Sequence, residues 1–263
     1  MTPAESHISI AEVRALLSEA TGRELAGLLG RFACDERAGV TEACRRANSR
    51  EQARRQERTR TKAMYALERK LQAGGFSAVA GVDEVGRGAL AGPVSAAAVI
   101  LPAGMLIEGL NDSKKLTPAR REELSALIHA RALSVGIAHV SAAQIDSEGL
   151  SAALRRAILS AILQLEPQPD HVVIDGLPMR VHPSETAVVK GDSKVAAVAA
   201  ASIVAKVARD ALMREAALVC PEYGFEINKG YGTAEHKLAV DTHGPSCLHR
   251  LSFNGGGGNP SLF

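Results

Sequence analysis

The sequence predicts an α/β fold: a mixed sheet flanked by helices and preceded by a helical N-terminal extension. Three observations predict it. Short apolar runs alternate with helical stripes across residues 76–254, turn-forming residues separate them, and the first 75 residues show helical spacing only. Strands that alternate with helices belong to α/β sheets.

Ile10, Val13, Leu16 and Leu17 recur at helical spacing, and Leu25, Leu28 and Leu29 do so again after Thr21 and Gly22. The Arg-rich stretch that follows has few large apolar residues and predicts an exposed helix or arm. Gly74 and Gly75 read as a linker. Residues 79–82 form an apolar run leading into Asp83 and Glu84, and residues 94–101 form a second. Thr117 followed by Pro118 predicts an N-cap and first helical position, with Leu124, Leu127 and Ile128 as the buried face. Residues 135–140 predict a strand, and Leu150, Leu154, Ala157, Ile158, Ala161 and Ile162 a helical stripe. Residues 171–175 predict a buried strand ending in Asp175, and residues 194–218 a long Ala-rich helix. Four consecutive glycines open a flexible tail. The chain therefore divides into 1–75, 76–254 and 255–263.

Of the 263 residues, 46% are hydrophobic and 23% charged, enough for one good-sized core and an accessory region. The net charge of +2 is uneven. Residues 37–70 hold 11 Lys/Arg against 4 Asp/Glu, a local +7 that leaves −5 elsewhere. Such a segment fits an anionic partner such as nucleic acid, and equally a solvated helix face. Cys34, Cys44, Cys220 and Cys247 lack the spacing of a zinc site or disulfide scaffold. The N-terminus has no signal-peptide pattern, and the most apolar stretch, 195–207, is too short to span a bilayer and contains Lys206. A cytoplasmic monomer without membrane contact is expected.

Asp83 and Glu84 stand where an apolar run meets the turn Val85-Gly86-Arg87-Gly88, and Asp175 ends another run before Gly176. In α/β sheets, ligands bind at strand ends facing a crevice. If the two strands are neighbours, at roughly 4.8 Å spacing, Asp83 and Asp175 can share one cation. Adjacent strand residues face opposite ways, so Glu84 joins them only if the turn bends the chain. Carboxylates without Cys or His partners select hard ions such as Mg²⁺ or Mn²⁺, which activate water and stabilise phosphoryl charge. The same residues also fit ordinary caps and turns at strand ends.

Seven motifs follow in order: Val82-Asp-Glu-Val-Gly-Arg-Gly-Ala-Leu-Ala-Gly-Pro93, Asn111-Asp-Ser-Lys-Lys-Leu116, Val173-Ile-Asp-Gly176, Lys190-Gly-Asp-Ser-Lys194, Ala200-Ala-Ser-Ile-Val-Ala-Lys-Val-Ala-Arg-Asp210, Lys229-Gly-Tyr-Gly-Thr-Ala-Glu-His236 and His249-Arg-Leu-Ser-Phe253. Together they closely resemble bacterial ribonuclease HII, the type 2 ribonuclease H, over essentially all of 76–254. The resemblance implies a ribonuclease H-like sheet carrying an acidic site. It implies Asp83, Glu84, Asp175 and Asp210 as catalytic metal ligands. Read from spacing alone, Asp210 one turn after Lys206 looks like a surface ion pair. The implied reaction is hydrolysis by a metal-activated water, 5′ to a ribonucleotide embedded in duplex DNA or within an RNA–DNA hybrid. The products would carry a 3′-hydroxyl and a 5′-phosphate. No histidine base is then required, so His236 and His249 are expected to be structural.

The 2′-hydroxyl distinguishes RNA from DNA. Gly86 and Gly88 let the backbone approach a sugar, and Arg87 adds a forked donor, although taken alone the loop also fits a tight turn with a solvated arginine. The family reads the 2′-hydroxyl with this loop and sets the tyrosine matching Tyr231 against the sugar at the ribo-to-deoxyribo junction. Lys114, Lys115 and Lys194 are expected phosphate contacts. With 3% aromatics and no Trp, a multi-base stacking surface is not expected. Ala89 stands where the family usually has Pro. Residues 96–98 and 196–201 use alanine where β-branched residues are common. Residues 1–75 loosely resemble the helical extensions of some bacterial members.

The basic stretch 37–70 is expected to clamp the nucleic-acid backbone. The tail, ending Asn259-Pro-Ser-Leu-Phe263, resembles peptides that dock into bacterial sliding clamps, with Asn259 and Pro260 replacing the usual Gln and first Leu. Three rivals are ribonuclease HIII, which usually has Lys or Thr at the position of Arg87, an inactive binding protein, and another nuclease on the same fold. The four filled acidic positions, the Gly-Arg-Gly loop and Tyr231 favour a ribose-discriminating nuclease.

Overall fold

The computed structural model describes residues 8–254. The tail expected to meet a sliding clamp lies outside the described residues. The described chain forms two compact units, one ending at Arg60 and one starting at Thr61. The expected boundary at residue 75 therefore falls inside the second unit.

The first unit contains α1 (Ile10–Glu19), α2 (Gly22–Arg31) and most of α3 (Ala38–Met64). Ser9 and Glu12 form a capping box at the start of α1. Val13, Leu17, Leu25, Phe32, Val40, Ala43 and Ala47 make its small core. Arg50 donates to the carbonyls of Leu17 and Ala20, at 2.7 and 3.1 Å, closing the end of α1. The Arg-rich stretch is helical, as expected.

The second unit opens with α4 (Ala66–Ala73). Gly74 and Gly75 close that helix. Their amides donate back to Lys70 and Gln72, and Phe76 donates to Leu71. There follow β1 (Val79–Val85), β2 (Val94–Ile100), α5 (Pro118–Arg131), β3 (Ser134–Val140), α6 (Ala142–Glu148), α7 (Leu150–Leu163), β4 (His171–Asp175), β5 (Glu185–Val188), α8 (Ala196–Val219), α9 (Phe225–Asn228), α10 (Ala234–His243) and α11 (Leu251–Asn254). Thr117 caps α5 by accepting from the Arg120 amide. The sheet order is β3-β2-β1-β4-β5. The pairs β3–β2 and β2–β1 are antiparallel, and β1–β4 and β4–β5 are parallel, so the sheet is mixed as expected.

Strand alternation splits the core. Ala80, Val82, Ala96, Ala98, Val172 and Ile174 pack with α7, while Ala97 and Val99 pack with α5 and α8. The alanines are explained by close approach. A Cβ at Gly81 of β1 would stand 2.1 Å from the Ala197 carbonyl carbon, and one at Gly136 of β3 would stand 2.0 Å from the Ala161 oxygen. Both helices thus lie with their backbones directly on the sheet, where only small side chains fit. Leu67 and Leu71 of α4 pack with Val79, Val173, Val195 and Val198, and Glu68 accepts from the Ala197 amide at 2.9 Å. So α4 caps and covers the start of the long buried helix that crosses the sheet. Among the described residues, no helix is long and apolar enough to cross a membrane.

Candidate active site

The parallel pairing of β1 with β4 runs to Val82 opposite Ile174. The next residues are Asp83 and Asp175, so the strands that carry them are neighbours. The strand does not stop at Asp83, as the sequence suggested. It continues on its other edge, with Asp83 opposite Ala97, Glu84 opposite Ala96 and Val85 opposite Ser95. The chain then turns at Gly86, whose φ is 91°. Despite strand alternation, Asp83, Glu84 and Asp175 all line one cleft of about 550 Å³. Its rim is Gly86, Arg87, Gly88, Lys114 and Tyr231, and its floor includes Ser113, Asp192, Ser202 and Lys206.

Electrostatics bind the carboxylates together. Burial pushes the Asp83 carboxyl well above the usual carboxylate range, and the charges of Glu84 and Asp175 push further, against a hydrogen bond from Ser202. Burial also raises Glu84, opposed by Arg87 at 3.2 Å. Burial, Asp112 and Asp175 raise Asp192. Asp175 accepts the Gly191 amide at 2.6 Å, and Asp83 accepts the Glu84 amide at 2.8 Å. Asp210, on α8, pairs with Lys206 at 2.6 Å. Spacing correctly suggested that pair, but not its setting: the two side chains are only 10% and 16% exposed, with Lys206 in the cleft floor.

Among the described residues, no three His, Cys, Asp or Glu side chains stand in an arrangement that could hold a metal ion as they are. Glu84 is turned to Arg87 and Asp210 to Lys206. The donor chemistry fits a hard divalent cation all the same. It is oxygen-only and buried, and the charges of Glu84 and Asp175 raise the Asp83 carboxyl, a repulsion that a cation would relieve.

The rim residues differ in what holds them. A Cβ at Gly86 would fall 2.3 Å from Arg209 Nε, so the fold itself requires glycine there. A Cβ at Gly88 would meet nothing within 4 Å, and its φ lies outside the left-handed region. Nothing among the described residues forbids a side chain at Gly88. Tyr231 has Arg209 5.2 Å and Lys206 5.8 Å from its ring centre. Lys114 lines the cleft, whereas Lys115 and Lys194 do not. The Lys194 ammonium donates to the Val189 carbonyl at 2.7 Å.

His236 and His249 are buried outside the cleft. Their Nε2 atoms are 3.0 Å apart. His236 Nδ1 meets the Tyr231 carbonyl at 2.9 Å, and His249 Nδ1 the Ser246 amide at 2.9 Å. An amide only donates and a carbonyl only accepts, which fixes both tautomers: His249 Nε2–H donates to His236, and His236 Nδ1–H donates to Tyr231. Both rings are neutral in this network.

Sequence reasoning missed Arg209 and Arg250, both fully buried. Arg209 donates to the carbonyls of Pro93, Lys229 and Ala91, and Arg250 to those of Gly92 and Arg87. They tie the Gly-Arg-Gly loop to the Tyr231 loop. It also missed Asp192 and Ser202, for which motif position was the only available signal.

Comparison with known proteins gives the family. The model of the family Ribonuclease HII matches residues 80–255, and that of the Ribonuclease HII N-terminal domain matches residues 9–72. Ribonuclease HII of Moorella thermoacetica is 52% identical over 198 residues, covering 75% of this chain and 96% of that one. The crystal structure of ribonuclease H2 from Pyrococcus horikoshii superposes with a TM-score of 0.58 at 26% identity, covering 66% of this chain and 93% of that one. RNase HII of Archaeoglobus fulgidus, solved in complex with PCNA, gives 0.56 at 25%, covering 66% and 94%. A buried acidic cleft at the end of adjacent parallel strands, within a chain matched over nearly its whole described length, has one reading: the chain belongs to the ribonuclease HII family, metal-dependent endonucleases that cut RNA in RNA–DNA hybrids and ribonucleotides embedded in DNA.

Proposed function

We propose that hydrolysis takes place in this cleft, 5′ to the ribonucleotide, leaving a 3′-hydroxyl and a 5′-phosphate. Asp83, Glu84, Asp175 and Asp210 would hold Mg²⁺ or Mn²⁺. The observation that carries this reading is the placement of Asp83 and Asp175 just past the last rung of a parallel strand pair, in one cleft with the Gly-Arg-Gly loop. When bound, the cation lowers the pKa of the attacking water and offsets charge on the phosphoryl oxygens. Arg87 holds Glu84 and is half exposed, so its guanidinium is able to turn from that carboxylate to a phosphate. Lys206 lines the cleft and pairs there with Asp210, which stands behind the lining residues. Lys114 on the rim supplies a backbone contact without sequence preference. The open space beside Gly88 takes the sugar, since no described residue fills it. Tyr231 stands across the rim to meet the ribose ring.

The basic stretch 37–70 adds backbone contacts through its arginines, and the tail 255–263 is a candidate clamp-binding peptide, since the Archaeoglobus relative was solved with PCNA. The reading is tested on a DNA duplex with one embedded ribonucleotide, in Mg²⁺, Mn²⁺ or EDTA. A metal-dependent nick 5′ to the ribonucleotide, absent in Asp83→Asn, is expected. Cleavage confined to long hybrids would overturn single-ribonucleotide recognition.

A further inference from the structure

We propose that Arg250 is a positioning residue for ribose recognition: it draws the Arg87 carbonyl inward and so turns the Gly88 amide out to the substrate. The inference rests on the reading of the Gly-Arg-Gly loop as the ribose-recognising element and assigns the part that holds it in shape.

The geometry begins with a short bridge between distant segments. Ala91 pairs with His249, the Arg250 amide donates to Leu90, and the Gly92 amide donates to Leu248. This brings the Arg250 side chain beneath the loop. Its Nη1 donates to the Arg87 carbonyl at 2.9 Å and its Nε to the Gly92 carbonyl at 3.0 Å. A trans peptide sets N–H opposite C=O. With the Arg87 oxygen pulled inward, the N–H of Gly88 points away from the interior. That amide makes no hydrogen bond among the described residues, and a Cβ beside it would meet nothing within 4 Å. An unused donor beside unused space is what a sugar hydroxyl needs.

Arg250 is an expensive way to fill a core. It is fully buried, has no ion pair among the described residues, and leaves Nη2 without a partner. What it supplies is a fork that grips two carbonyls at a fixed separation, which a single ammonium cannot do. Phe253 lies against its guanidinium, and Asp146 fixes the next turn by accepting from the Leu251 and Ser252 amides. The fork is therefore held at both ends.

The test compares affinity for a duplex carrying one ribonucleotide with affinity for the same duplex in DNA only, in Ca²⁺ to suppress cleavage. Arg250→Lys is expected to lower that ratio about tenfold, the size of one lost hydrogen bond, while DNA-only affinity holds. Equal weakening on both duplexes, or an unchanged ratio, would overturn the proposal. A second measurement needs no variant. In the ¹⁵N spectrum of the wild-type enzyme, the Gly88 amide should shift with the ribonucleotide duplex and not with the DNA duplex. If it responds to neither, the reading of the loop itself fails. If it responds to the ribonucleotide duplex while the affinity ratio of Arg250→Lys is intact, only the role of Arg250 fails.

Discussion

The α3 helix and the backing of the cleft are both built with arginine, and they hold it in opposite ways. On α3, Arg45 and Arg46 are 70% and 77% exposed and share Glu42 within one helical turn. Those two guanidiniums pull the Glu42 carboxyl down to about 2, first Arg45 and then Arg46. Glu51 serves Arg54 and Arg55 in the same way. Behind the cleft, Arg209 and Arg250 are fully buried, and they donate to backbone carbonyls from segments distant in sequence. Burial, and then the charge of Arg209, pushes Arg250 down to about 10. Exposed arginine pairs are replaceable and adjust to a partner. Buried arginines fix backbone geometry and cannot be exchanged without leaving carbonyls unsatisfied.

The largest expected effect lies at Asp83, in the cleft itself. Asp83→Asn should reduce cleavage of a single-ribonucleotide duplex at least about a thousandfold, as loss of a preorganised charge does. It should also raise the melting temperature in EDTA. Burial and the charges of Glu84 and Asp175 raise this carboxyl, so at neutral pH its ionised form opposes folding. A lower melting temperature would mean that its hydrogen bonds outweigh that repulsion.

Next comes Arg209→Met, which strips donors from three carbonyls at once. Urea denaturation should show a loss on the order of 3 kcal/mol. Arg45→Met on α3 should leave the midpoint where it was. Equal effects at the two positions would remove the distinction between the two settings.

What was legible in the sequence follows the same line. The strands 79–82 and 171–175 were readable because their residues are buried on both faces and leave an uninterrupted apolar run. β5 was not, because its four residues are all half-buried and mix Glu and Thr with Ala and Val. The short α6, α9, α10 and α11 left no apolar stripe long enough to read. Asp83 and Asp175 could be matched from strand ends, but Glu84 could not, since alternation sends it to the other face. The Lys206–Asp210 pair was visible as spacing, while its burial depends on β1 and the cleft. Arg209 and Arg250 were illegible because nothing near them in sequence marks their acceptors. Gly86 and Gly88 look identical as letters, yet only Gly86 is required by the fold.

A smaller effect is expected from pH. Burial, and then His236, lowers the pKa of His249, whose Nδ1 must stay unprotonated to accept the Ser246 amide. The folded state therefore binds fewer protons than the unfolded chain. The contribution is complete above the ordinary histidine value of about 6.5 and is lost as pH falls through the lower folded value. His139 and His171 are lowered too and act with the same sign, so the informative quantity is the difference between proteins. Wild type should lose more stability than His249→Gln between pH 7.5 and 5.5, assay values chosen to bracket that point, at about 6.5. Parallel curves would assign the pH dependence to the other two histidines.

The smallest effect on the fold, and the sharpest test of the contrast, belongs to Arg45 and Arg46. Replacing both with Ala should leave denaturation unchanged, since each is highly exposed and paired only within its own helix. Binding should respond instead. If α3 meets the nucleic-acid backbone, the slope of log affinity against log salt should fall by about 0.9 for each phosphate contact removed. The same substitution would weaken ribonucleotide and DNA-only duplexes alike, because phosphate contacts carry no information about the sugar. An unchanged slope would make the α3 arginines a solvated face that serves only their glutamates. A change confined to the ribonucleotide duplex would be harder to accommodate, because recognition of the sugar would then extend beyond the cleft, to two arginines paired within their own helix.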